Sequence, residues 1–116
     1  MLSKFKDKRG IITDLMVTPE YSITHITFKK GAVRGNHYHK KTRQIDYILK
    51  GQLLCVTSLD SFVIGTGTTI EHPHGVAHAY KAKKDSEMIS ICFGVRRGTN
   101  YEKDTYRLSD KEKLII

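Results

Sequence analysis

A chain of 116 residues can bury one core without disulfide or metal staples, so a single domain over residues 1–116 is expected. The formal charge of +8 favours an anionic partner, but the lysines are scattered and no arginine-aromatic stripe of the kind that tracks a nucleic-acid strand is present, so nucleic acid is not expected. The opening MLSKFKDKRG is charged where a leader would be apolar, and no run approaches the roughly 20 apolar residues of a membrane span. A cytoplasmic protein with no membrane association is the expectation.

Taken in chain order, short apolar or alternating runs predict about eight strands: IITDLMV, YSITHITF, RQIDYIL, QLLCVTS, SFVIG, TTIEH, VAHAYKA and EMISICF. Turn residues separate them at Pro19, Gly31, Gly35, Lys50-Gly51, Leu59-Asp60, Gly65-Thr66-Gly67 and His72-Pro73-His74-Gly75. Such spacing indicates an all-β sandwich or barrel. Cys55 and Cys92 each sit inside an apolar run and read as buried thiols rather than a disulfide pair. Near the end, Ser109 with Glu112 has the form of a capping box, which predicts a short C-terminal helix or tail.

Strand alternation gives the histidines a geometry. His37 and His39 point to one side, opposite Asn36, Tyr38 and Lys40. The same rule groups Gln44 with Asp46 and Ile48, and His78 with Val76 and Tyr80. If that face lines a barrel, the imidazoles converge inside it. Three histidines at His37, His39 and His78, with Gln44 as a possible fourth ligand, suit Fe, Mn, Ni or Zn. A neutral glutamine offsets a dication's charge less than a carboxylate would, which lowers the expected affinity. His25 is a further candidate if it faces inward, whereas His72 and His74, flanking Pro73, are expected to be exposed loop residues.

These residues carry a resemblance. Gly31, His37, His39, Gln44 and Gly51, over residues 31–51, resemble the first signature motif of the cupin superfamily. Gly67, Pro73, Gly75 and His78, over residues 67–82, resemble the second, with Gln44 where a glutamate is typical and Ala82 where an asparagine is. The resemblance implies a jelly-roll β-barrel with a site at its mouth, usually in a homodimer. Within the superfamily, VRGNHYHKKTRQ is similar to the corresponding segment of the dTDP-sugar 3,4-ketoisomerases, which work without a metal. Asp7-Lys8-Arg9-Gly10 and the tail from Asn100 to Tyr106 echo that family weakly. Arg-Gly-Asn-His is also shared with the small cupin domains of capsule-synthesis enzymes.

The ketoisomerase resemblance implies an isomerase or epimerase of a nucleotide-linked 4-keto-6-deoxy sugar, acting by proton transfer through an enediol with no cofactor. Histidine suits this chemistry because both its protonation states are populated at pH 7. His37 or His39 would move the proton while the other polarises the carbonyl. Gln44 would hold an imidazole tautomer, and Tyr80 would be a candidate proton donor. Arg34 and Arg43, with His25 and His78, would bind the substrate, the guanidiniums taking the diphosphate. Two other readings stand beside it: a metal-dependent cupin enzyme, such as a three-histidine dioxygenase or a sugar-phosphate isomerase, and a non-catalytic sugar-binding module.

Overall fold

The computed structural model describes residues 3–94 and 104–116, so residues 100–103 of the tail resemblance lie outside the described residues. All eight predicted strands are present: β2 (Gly10–Val17), β3 (Tyr21–Phe28), β5 (Arg43–Lys50), β6 (Gln52–Thr57), β7 (Ser61–Gly65), β8 (Thr69–His72), β9 (His78–Ala82) and β10 (Ser86–Phe93). Three more are present among the described residues: β1 (Lys4–Asp7), β4 (Val33–Tyr38) and β11 (Tyr106–Arg107). These lack apolar periodicity, because β1 and β11 are edge strands and β4 carries the polar run VRGNHY. Among the described residues no helix forms at the C-terminus. Ser109 and Glu112 do bond, Oγ to Oε1 at 2.8 Å, but they close a turn, and the residues that follow bond to β4 instead of continuing a helix.

The strands form a jelly roll of two antiparallel sheets, ordered β1-β2-β3-β10-β5-β8 and β11-β4-β9-β6-β7. One end of the interior is apolar, with Phe28, Ile48, Leu53, Ile64, Ala82 and Met88 packed together. Cys55 and Cys92 are buried and not joined in a disulfide, and burial pushes the Cys55 thiol up to about 12, which makes it inert. No helix among the described residues is long and apolar enough to cross a membrane.

A bulge in β4 sets the direction of the side chains on either side of it. Gly35 pairs with Ala79 and His37 with His78, leaving Asn36 as the extra residue. Gly35 and Asn36 both take positive φ, 95° and 56°. A Cβ on Gly35 would lie 2.8 Å from the His78 carbonyl oxygen, so only glycine fits against β9 there. The bulge shifts the strand's phase by one residue, and so turns Arg34 and His37 to the same side, where plain alternation would oppose them.

Asn36 offsets its strained backbone by clamping the tail. Its Nδ2 donates to the Ile115 carbonyl at 2.8 Å, and its Oδ1 accepts from the amides of Leu114 and Ile115 at 2.9 and 3.1 Å.

Candidate active site

The polar end of the interior opens into a cavity of about 320 Å³ whose wall includes Arg34, His37, Gln44, His78 and Tyr80. Residues from both sheets meet there because β5 and β9 turn the inward residues of each motif toward one another. His37 lies with its ring centroid 4.9 Å from that of His39 and 4.7 Å from that of His78. The sequence grouping of the three histidines is therefore met in space. One ligating atom from each of them lies within 4.8 Å of the others.

His39, 2% exposed, sits behind the cavity wall. Its Nδ1 meets the Asp104 backbone carbonyl at 2.9 Å, an acceptor, so Nδ1 carries a proton. Its Nε2 lies 3.2 Å from Gln44 Oε1. Asp104 anchors the loop after His39: its carboxylate accepts from the amides of Lys40, Lys41 and Thr42 and from the Thr42 hydroxyl. Burial would raise the Asp104 carboxyl, but these bonds hold it below its ordinary value.

His78 is 1% exposed, and neither ring nitrogen has a hydrogen-bond partner of good geometry. Burial, then the charges of His72, His37 and His39, push it well below the usual imidazole range, against the Val76 backbone. It is neutral at pH 7. A buried neutral imidazole with its lone pair uncommitted, beside two others, fits a metal ion, and Gln44 Oε1 adds an oxygen at the same spot. His37, His39, His78 and Gln44 are thus the residues that would hold Fe, Mn, Ni or Zn.

Sequence reasoning missed the carboxylate behind these groups. Asp46 is 0% exposed. Gln44 Nε2 donates to both its oxygens, at 3.1 and 2.9 Å, and the Tyr80 hydroxyl donates at 2.6 Å. Burial alone would raise Asp46, but the bonds and charge of His72, with Tyr80 and Ser90, hold it below the ordinary carboxyl value. It is ionised. Conversely burial, the Asp46 charge and the buried Cys55 push the Tyr80 phenol well above its usual range. Since that hydroxyl donates its hydrogen bond to Asp46, Tyr80 braces the carboxylate while its ring lines the cavity.

His72 also departs from expectation. It is 1% exposed rather than a loop residue, its Nε2 donates to the Tyr80 oxygen at 2.5 Å, and its ring stacks on His78 at 4.1 Å. The signal was there in TTIEH, whose alternation puts His72 on the face of Ile70. His74 is exposed as expected.

Arg34 is 8% exposed. One nitrogen donates to the Thr27 carbonyl at 3.2 Å, and the guanidinium lies 5.4 Å from the Phe28 ring centroid. No carboxylate pairs with it among the described residues, and its Nε has no hydrogen-bond partner. Burial, with the nearby Arg9 charge acting against the weaker pull of Asp7, pushes it down to about 10, still cationic at neutral pH.

Two predicted substrate-binding residues are not brought to this cavity. Arg43 lies on the outer face of its sheet and binds Glu71, Nε to Oε2 at 2.6 Å. His25 also faces outward, with Nε2 3.0 Å from Glu87 Oε1. Alternation along β3 gives the reason: Ser22, Thr24 and Ile26 line the cavity, so His25 cannot.

A family model described as Cupin domain matches residues 24–94. Among solved structures, the chain is similar to the capsular polysaccharide assembling protein CapF of Staphylococcus aureus, at TM-score 0.79 and 20% identity over 94% of this chain and 34% of that one. It is also similar to KdgF of a Halomonas species, at 0.69 and 23% over 78% and 84%. A third is oxalate decarboxylase of Bacillus subtilis, at 0.77 and 20% over 95% and 31%. The chain spans about a third of the CapF and oxalate decarboxylase chains. At these identities the likeness is one of fold. No curated protein matches.

Proposed function

This chain belongs to the cupin family, and from that premise we propose that it is a cytoplasmic isomerase or epimerase of a nucleotide-linked 4-keto-6-deoxy sugar, of the kind that feeds polysaccharide synthesis. The observation that carries the reading is the placement of Arg34, buried and without a carboxylate partner among the described residues, in one cavity with the histidine cluster. A buried cation with no carboxylate in contact is stabilised by an anionic substrate, and a guanidinium takes a diphosphate through paired hydrogen bonds. His37 lines the cavity and is the group that removes the proton alpha to the carbonyl. His39 lies behind it, and His78 is neutral. Return of the proton to the adjacent carbon completes the shift through an enediol.

The test is deuterium incorporation into dTDP-4-keto-6-deoxyglucose in heavy water, followed by NMR. Wild type should exchange the proton alpha to the ketone, and His37→Ala should slow this by about 10²- to 10⁴-fold. Full activity in that variant would remove His37 from the role, and no exchange by wild type with any keto-sugar nucleotide would remove the reading.

A second reading, a metal-dependent cupin enzyme, is favoured by His78, whose two buried ring nitrogens lack hydrogen-bond partners. A metal at His37, His39, His78 and Gln44 would polarise a substrate carbonyl as a Lewis acid. Near one metal per chain by elemental analysis, lost in His78→Ala, would support it.

We also propose a homodimer through the outer face of the six-stranded sheet. Ile23, Ile45, Tyr47, Ile89, Ile91 and Phe93 alternate with the inward residues there, and Tyr47 and Phe93 are 42% and 37% exposed. The Arg43 charge on this face is already paired with Glu71, which lowers the repulsion between two copies of a +8 chain at this point. Light scattering should give twice the chain mass, and Ile91→Glu should halve it.

A further inference from the structure

We propose that Asp46 is a positioning residue for the histidine cluster: it fixes which way the Gln44 amide points, and through Gln44 it fixes what the Nε2 of His39 meets. The inference rests on the reading of His37, His39 and His78 as the working cluster. An amide can be flipped with almost no change in shape, so packing alone does not choose between its oxygen and its nitrogen. A carboxylate does choose, because it only accepts. Both Asp46 oxygens lie within 3.1 Å of Gln44 Nε2. The flipped amide would set its oxygen against that charge, so Oε1 is turned to His39 Nε2 at 3.2 Å.

His39 thereby stands between two oxygens, the Asp104 carbonyl on Nδ1 and Gln44 on Nε2. Its Nε2 has two ways to be satisfied: donate a proton to Gln44, or share one cation with the Gln44 oxygen. Both need that oxygen, and neither survives a flipped amide. Asp46 holds its own place because the Tyr80 hydroxyl donates to it at 2.6 Å, while His72 Nε2 donates to Tyr80 at 2.5 Å and lies 3.3 Å from Asp46 itself. All three residues are buried, at 0%, 3% and 1% exposure. The relay runs from β8 and β9 across to β5 and ends at the residue after β4, so it ties one sheet to the other at the site.

The experiment is NMR of ¹⁵N-labelled, chelator-treated full-length protein at one fixed pH, comparing wild type with Asp46→Asn. An asparagine at this position offers a donor as well as an acceptor and no longer dictates the Gln44 amide. The expected result is a shift of the His39 Nε2 resonance, with loss of the slow solvent exchange of the Gln44 side-chain amide protons. With a keto-sugar nucleotide, kcat should fall about 10- to 100-fold with little change in KM. A folded Asp46→Asn protein whose His39 and Gln44 resonances match wild type would overturn the proposal.

Should Asp46→Asn not fold, Gln44→Leu leaves Asp46 braced by Tyr80 and His72. That variant must move the His39 Nε2 resonance while leaving the ring resonances of His72 in place, and an unmoved His39 overturns the relay. Neither spectrum needs a substrate. Expected shifts in a protein that turns over no sugar nucleotide would sink the proposed function and leave the role of Asp46 standing.

Discussion

The two ends of the barrel interior are equally buried and differently built. Along β5 the inward residues run Gln44, Asp46, Ile48, and along β9 they run His78, Tyr80, Ala82, so each strand passes from polar to apolar within five residues. Ile48 and Asp46 are both 0% exposed. The apolar end is held by contact volume, which is non-directional and tolerant of exchange among similar shapes. The histidine end is held by donors and acceptors in a fixed order, where one wrong partner leaves a buried polar group unmet. Depth in a fold therefore says little about what a residue does there.

Three experiments would probe that contrast. Ile48→Ala should have the largest effect on stability, a loss of about 2–5 kcal/mol in urea unfolding, with the His39 and Gln44 resonances unmoved. Movement of those resonances would mean that the ends are mechanically coupled and the contrast is overdrawn.

Acid should act on the histidine end. Because folded His78 lies below the unfolded value of about 6.5, the unfolded chain takes up its proton first. Stability of chelated protein should be full above about pH 6.5 and fall as the pH drops below it, by no more than about 1.4 kcal/mol per pH unit for one proton. His78→Gln should flatten that limb, and an unchanged limb would assign it to another group.

The smallest effect is expected outside both ends. Arg43 is exposed and paired with Glu71, and exposed pairs contribute little. Arg43→Ala should leave melting temperature and KM unchanged, whereas Arg34→Ala should raise KM for an anionic substrate. A large KM effect at Arg43 would return it to the site from which the fold excludes it.

Much of this was legible in the sequence. Period-two alternation and glycine-rich turns mark eight strands because a strand half-exposed to water must alternate. The same rule puts His78 with Tyr80 and Gln44 with Asp46, as observed. It misplaces what depends on partners distant in the chain. His72 reads as a loop residue beside Pro73, yet Tyr80 and His78 bury it, and the candidate helix after Ser109 is a turn whose continuation, Leu114 and Ile115, is bonded by Asn36.

Strand periodicity, the fold family and the identity of the three histidines follow from local spacing, and the amino-acid order alone is enough to find them. Which way those groups face, and what state they hold, is settled only by contacts between segments far apart in the chain. The bulge at Asn36 turns Arg34 to the side of His37, and Asp46 fixes the Gln44 amide. Hydrogen-bond direction and desolvation depend on atoms brought together across two sheets, and local spacing carries no record of them.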